Sequence, residues 1–344
     1  MTLLAVFDRY RADLLAELKL AVGEDSSPIY NMMRYHLGWV DKEGHPEQAP
    51  GGKFLRPTLC LLACEAVSND WSPALPAAAA IELVHNFTLI HDDIEDNSRE
   101  RHHRTTVWKV WGGAHGINSG DGMWAVAQLA LFKLQQRGVA SEKIIYASHL
   151  LAETCLKLCE GQSLDIDYQD RTNIGIEDYL RMIDGKTAQL FKCSLALGAL
   201  VGTNEDYMSN TSIISHFSSF GRNLGLAFQM HDDVLGIWSK EKYTGKSCTD
   251  IKEKKKSLPI VYAFQKAEGH DRERLLNIYE GNSSSANDVT DVLHILDNLD
   301  ARKYTEHYRE HYMHQALQEL HTMNLIPERK AEIEEVATFM LRGA

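Results

Sequence analysis

Apolar residues recur at intervals of three and four along almost the whole chain, and no stretch alternates strictly between apolar and polar positions inside hairpin turn signals. The pattern predicts an all-α protein. Leu3, Phe7, Tyr10, Leu14 and Leu18 share one face of an opening amphipathic helix that ends in the polar loop from Gly23 to Pro28. A second loop, rich in glycine and proline, spans Asp41 to Gly52. From Arg56 to about Glu95 the periodicity predicts two helices parted near Asn69 to Pro76, with Pro57 and Pro76 in first turns, where a missing N–H costs nothing. Further breaks are expected at Gly112–Gly122, Gly161–Gly175, Ser239–Lys246 and Gly281–Asp288, the last with Asn287 or Asp288 as helix cap. None of these loops reads as an interdomain linker and nothing repeats with a fixed period, so residues 1–344 are expected to form one helical bundle.

Charge narrows the function. The formal net charge is -12, which disfavours nucleic acid and anionic membranes as partners. Asp8, Arg9 and Arg11 interrupt the apolar start, unlike a signal peptide, and no apolar run of about 18 residues is evident; a cytoplasmic protein without a membrane span is expected. Cys60 with Cys64, and Cys155 with Cys159, stand at helical i, i+4 spacing without the turn chemistry of a zinc site, and read as buried free thiols.

Two segments carry the chemistry: Leu89-Ile-His-Asp-Asp-Ile-Glu-Asp96 and Phe228-Gln-Met-His-Asp-Asp-Val-Leu-Gly236. On a helix, Asp92 and Asp96 share a face and Asp93 lies ~100° round, so three carboxylates crowd together and repel unless cations sit among them. Oxygen ligands of this kind suit Mg²⁺, which completes its shell with water and substrate phosphates. His91 and His231 are read as neighbours of the motifs, outside the metal set. Basic residues follow glycine in Gly51-Gly-Lys-Phe-Leu-Arg-Pro57, Gly185-Lys-Thr187 and Gly245-Lys246, where backbone N–H groups are expected to approach an anion; Arg101 to Arg104 and Lys252 to Lys256 add positive charge.

In this ordered set, from about Gly51 to Pro259, the chain resembles the trans-isoprenyl diphosphate synthases, the polyprenyl synthetase family. The resemblance implies a helical bundle around a central cavity. Asp92, Asp93 and Asp96 would face Asp232 and Asp233 across it and bind three Mg²⁺ against an allylic diphosphate. It further implies that Arg101, Lys186 and Lys246 contact that diphosphate, that Lys53, Arg56 and His85 hold isopentenyl diphosphate, and that Thr187 and Gln229 stabilise a passing carbocation. Lys256 falls in the family's closing basic segment, Gln162 and Asp165 match a cavity-lining helix, and a homodimer is implied. The chain departs from the pattern in places. Gly236 stands where many relatives have a third Asp. His102 replaces the second of two arginines and cannot form a bidentate fork; His103 and Thr105 replace a usual Gly and Pro.

Residues earlier in the helix of the first motif lie deeper along the path of a growing tail, by ~1.5 Å per position. Val84 and Thr88 leave room below Asp92, whereas Phe87 is bulky; a lone aromatic there resembles enzymes that stop near twenty carbons. The expected reaction condenses isopentenyl diphosphate head-to-tail with dimethylallyl, geranyl or farnesyl diphosphate, giving geranylgeranyl diphosphate, with farnesyl diphosphate as the alternative. A class I terpene cyclase would need the metal motifs but not Lys53, Arg56 and His85. A non-catalytic partner subunit would have no need of both Asp pairs. Glu82 and His85 have the spacing of a di-iron helix, but no second Glu-x-x-His accompanies them.

Overall fold

A computed structural model describes residues 5–47, 49, 52–203, 211–238, 249–281 and 285–342; Leu3, Gly51 and Lys246, with the break expected at Ser239–Lys246, lie outside the described residues. The architecture is helical, as the periodicity predicts. In chain order come α1 (Ala5–Val22), α2 (Pro28–His36), α3 (Leu55–Ser68), α4 (Leu75–Glu95), a hairpin of β1 (Glu100–Arg101) and β2 (Arg104–Thr105), α5 (Val107–Trp111), α6 (Gly113–Phe132), α7 (Ser141–Gln169), α8 (Ile176–Ile183), α9 (Gln189–Gly202), α10 (Thr211–Trp238) and α11 (Thr249–Lys252). Helices over Leu258–Lys266, Gly269–Glu280, Ala286–Asn298, Ala301–Thr322 and Pro327–Met340 complete it.

α4 is the central helix. Leu75 to Ile90 is apolar around most of its circumference, which only burial on all sides satisfies, and α1, α3, α6 and α9 enclose it. Contrary to the expectation of no membrane-length apolar run, Ser72–Glu95 is long enough and holds an 18-residue window with a mean hydropathy of 1.2, but 78% of that window is buried in the protein. α9 crosses α3 at close range: a Cβ on Gly198 would fall 2.0 Å from the Cys60 carbonyl oxygen.

The glycine-rich breaks are shorter than predicted. α6 runs through Gly116, Gly120 and Gly122, and α7 runs through Gly161. A Cβ on Gly120 would lie 2.2 Å from His91 Nε2, one on Gly122 2.6 Å from Met33 Cε, and one on Gly161 2.1 Å from the Lys186 nitrogen. These glycines mark helix crossings, where the packing gained outweighs the ~1 kcal/mol that glycine costs a helix. The helix after Gly281 is capped by Ser285 instead of Asn287 or Asp288; Asp288 returns the bond to the Ser285 N–H at 2.7 Å, a capping box. Cys60, Cys64 and Cys155 are buried free thiols, but Cys159 is exposed on α7.

The hairpin turns at His102 and His103, with φ of 51° and 62°. Two successive positive φ values suit a two-residue turn but strain residues that carry a Cβ. Arg104 anchors the hairpin, donating to the carbonyls of Tyr35 at 2.6 Å and Val40 at 2.9 Å and to Glu47 at 2.7 Å.

Candidate active site

Helix α4 delivers the first acidic motif at its C-terminal end, with Asp96 as the residue that closes it, and α10 carries the second. Lys255, just after α11, is close enough to act electrostatically on Asp96 and on Asp233 and Asp250, so the two motifs face one recess. Each aspartate pair is divided. Asp93 is 1% exposed and turns away, accepting from Arg101 Nε at 2.8 Å. Asp92 stays on the recess and takes long contacts from Arg101 Nη2 at 3.3 Å, Gln162 Nε2 at 3.3 Å and Lys186 Nζ at 3.4 Å. In the second pair, buried Asp233 accepts from Tyr179 Oη at 2.6 Å, the Leu258 N–H at 2.8 Å and Gln229 Nε2 at 3.0 Å. Asp232 is exposed and stands close enough to Arg56 and Lys53 for both to act on its charge. Each pair thus has one presented and one anchored group, because neighbouring helical positions point ~100° apart.

Lys186 sits on a π-helical turn, Asp184–Ala188, between α8 and α9. A Cβ on Gly185 would lie 2.8 Å from Gly161 Cα, so its size serves the crossing with α7. The Lys186 ammonium bonds Asp165 at 2.5 Å. Burial alone would lower its pKa, but Asp165 and Asp92 outweigh that and raise it, keeping the charge. Thr187 Oγ1 donates to Gln229 Oε1 at 2.7 Å, and Gln229 continues to Asp233, so one chain of bonds orients both side chains.

Lys53, Arg56 and His85 line a second cavity of about 260 Å³, with Arg101 and His102. Arg56 lies 4.4 Å over the Phe191 ring and 3.4 Å from His85 Nε2; its Nε is buried without a partner. Burial brings its pKa down to about 10. His102 is likewise lowered, by burial and by Arg101. Lys256 reaches the recess, but its Nζ is committed to the Gln169 carbonyl at 2.7 Å, and burial lowers it to about 8. The preceding Lys255, which the sequence does not distinguish from its neighbours, holds its charge among the acids.

Burial and mutual repulsion push the carboxyls up: Asp93 to about 6, Asp232 to about 7 and Asp250 to about 7. Asp250 is the residue that motif reading misses. A Cβ on Gly236 would fall 2.5 Å from its carboxyl carbon, so Asp250 fills the volume that a third motif side chain would take. Among the described residues no three such ligands converge on one point. Carboxylates raised by one another but spread around a recess fit Mg²⁺, which takes few protein oxygens and keeps the rest of its shell for water and phosphate.

An apolar cavity of about 360 Å³ runs beneath Asp92 between α4, α7 and α9, lined by Phe87, Thr88, Leu158, Cys159, Ile166 and Leu190. Val84 is fully buried below it and does not line it. Phe87 is backed edge-on by His91 at 5.8 Å, and His91 Nε2 lies 3.2 Å from the Ile117 carbonyl oxygen. The two cavities meet at Arg56, His85 and Leu89.

An all-helical fold with two facing acidic motifs, a cationic pocket and an apolar tunnel defines the class of the isoprenyl diphosphate synthases. The chain matches the polyprenyl synthetase family over residues 39–296. It is 40% identical over 261 residues to the geranylgeranyl diphosphate synthase of Mycobacterium tuberculosis, covering 76% of this chain and 72% of that one. It is 32% identical over 316 residues to the (2E,6E)-farnesyl diphosphate synthase of the same organism, covering 90% and 85%. The crystal structure of a polyprenyl synthetase from Streptomyces coelicolor superposes with a TM-score of 0.88 at 31% identity, covering 98% of this chain and 99% of that one. The chain therefore belongs to the polyprenyl synthetase family and is a trans-prenyltransferase.

Proposed function

We propose that the protein condenses isopentenyl diphosphate with an allylic diphosphate and releases geranylgeranyl diphosphate. The observation that carries this reading is the junction of the two cavities at Arg56, His85 and Leu89. A condensation needs two substrates side by side, one with its diphosphate at the acidic recess and its tail in the apolar cavity, the other in the cationic pocket. A cyclase has no use for the second pocket.

Asp92, Asp93, Asp96, Asp232 and Asp233, with Asp250 beside Gly236, would hold three Mg²⁺. Bound Mg²⁺ supplies the charge that neutralises the departing diphosphate. Lys186 and Arg101 bind the same group; each is held in place by acidic partners, Arg101 by Asp93 and Lys186 by Asp165. Lys246 is assigned there by family pattern alone. The hydroxyl of Thr187 and the amide oxygen of Gln229, held by their shared bond, turn lone pairs toward positive charge at the mouth of the tail cavity. The apolar wall excludes water, which would trap the cation. Lys53, Arg56, His85 and His102 receive isopentenyl diphosphate, and Lys255 and Lys256 border the entrance. Phe87 blocks the far end of the tail cavity and sets product length, with Thr88 leaving room above it.

A homodimer is part of the same reading. Ile117, Trp124, Leu129 and Phe132 on α6 and Ile145 and Leu156 on α7 are exposed apolar residues on adjoining helices, a surface that a second copy would cover.

Incubation with Mg²⁺, isopentenyl diphosphate and each allylic diphosphate, followed by mass analysis of the dephosphorylated alcohols, tests the function. A linear twenty-carbon alcohol is expected. A fifteen-carbon product keeps the reaction and moves the length to farnesyl; hydrocarbon formed without isopentenyl diphosphate overturns the condensation.

A further inference from the structure

His36, the last residue of α2, has no assigned part in this chemistry, yet it lines the cationic pocket. Its surroundings are unusual for a half-buried imidazole. Arg101, His102 and Arg104 act on it from the hairpin, and Asn86 of α4 faces it. Asn86 is fixed from within. The amide nitrogen of Asn86 donates to the Glu82 carbonyl at 2.8 Å and to Glu82 Oε1 at 3.0 Å, which leaves its amide oxygen for the imidazole N–H. Also on α4, His85 faces the same pocket, as does the buried Asp93; Lys53 and Arg56 enter from the start of α3.

The charges do not balance locally. Arg101 is spent on Asp92 and Asp93, and Arg104 on two carbonyls and Glu47. Lys53 and Arg56 form no ion pair among the described residues, and Arg56 Nε is an orphan. Glu82 and Asp232, the acids that act on Arg56, are themselves pushed up to about 7, chiefly by burial. Among these cations the imidazoles are held neutral: burial and the arginines lower His36 to about 3 and lower His85 as well. A neutral imidazole keeps one lone pair, which at His36 stands amid positive charge. An arriving anion reverses that field and gives the second nitrogen an acceptor.

We propose that His36 is a further binding residue for the isopentenyl diphosphate, an imidazole that stays neutral in the free pocket and takes up a proton from solvent as the anion binds. The inference rests on the assignment of this pocket made above. It also explains how a hairpin with His102 in place of an arginine still assembles enough positive charge: part of the charge arrives with the ligand.

Titration calorimetry of the full protein with isopentenyl diphosphate, without metal, in two buffers of different ionisation enthalpy counts the protons taken up; the ligand's own protonation is common to wild type and variant and cancels. His36→Gln keeps a donor for Asn86 but cannot ionise. The expected result is proton uptake by the wild type that falls in H36Q, with affinity about tenfold weaker at pH 7, the range for a lost bond to a charged group. The pH dependence of KM for isopentenyl diphosphate should flatten in H36Q, while KM for the allylic substrate holds. Equal uptake in the two proteins overturns the proposal, even if H36Q binds more weakly, since that is a loss of shape alone. Should H36Q not fold, the wild type decides at a pH where the free ligand is fully ionised: zero uptake there refutes the idea. Absence of any isopentenyl diphosphate binding by a folded wild type would instead refute the pocket's assignment.

Discussion

The division of the second aspartate pair makes a quantitative claim about two adjacent residues. Asp233→Ala strands two buried donors, the Tyr179 hydroxyl and the Leu258 N–H, which now bond the carboxylate at 2.6 and 2.8 Å. Each buried donor left unsatisfied costs about 1–3 kcal/mol. Gln229, only half-buried, can turn to water, so its bond adds little. The sum is about 2–6 kcal/mol, or roughly 3–8 °C in Tm at ~2.1 cal/mol/K per residue for a chain of this size. Asp232→Ala removes a carboxyl that burial and Asp233 push up to about 7. At pH 8 its charge is a liability that ends with the substitution, and because the group opens to solvent the gain is discounted to about 1 kcal/mol. Activity should fall in both, by ~10²–10³ for D232A as a lost electrostatic contact to the reacting group. Differential scanning calorimetry at pH 8 without metal separates the two variants. Equal melting temperatures, or a D232A less stable than D233A, would refute the division into presented and anchored carboxylates.

Four other outcomes follow from named contacts. Phe87→Ala opens the end of the tail cavity and should shift the product toward alcohols longer than twenty carbons by mass; an unchanged length removes Phe87 as the stop. Gly161→Ala places a Cβ 2.1 Å from the Lys186 nitrogen and 2.5 Å from the Gly185 carbonyl carbon; backbone must move, so a stability loss of about 1–3 kcal/mol and a raised KM for the allylic substrate are expected in denaturation and kinetic assays, and wild-type values for both would contradict the crossing. Asp232 and Asp250, raised to about 7, hold protons that the unfolded chain has already released between pH 4 and 7, so metal-free stability should fall as pH rises through that window. Mg²⁺ binding requires the ionised forms and should weaken as pH drops below about 7; calorimetric Mg²⁺ affinity, with inorganic diphosphate present, that is flat from pH 6 to 8 would exclude these groups as ligands.

Much of this protein is legible in one dimension. Spacing at three and four places helices because a helical face is a local property, decided by residues within two turns of one another. The two His-Asp-Asp segments, and the order of basic residues around them, point to the family because the chemistry needs those groups whatever the packing. What the chain alone did not reveal concerns residues that meet across elements. Gly116, Gly120 and Gly161 look like breaks and are crossings, since the clash that demands glycine comes from another helix. Asp92 and Asp93 look alike, yet the Arg101 side chain from the hairpin captures one of them. Gly236 looks like a missing carboxylate until Asp250, fourteen positions on, is found filling its place. His36 carries no signal in its neighbours along the chain; it enters the pocket because the Arg104 anchors draw the hairpin against the end of α2. Local sequence chooses the elements and supplies the reactive groups. Only the crossing of helices decides which of those groups share a cavity, because contacts of that kind depend on distances between segments that no periodicity encodes.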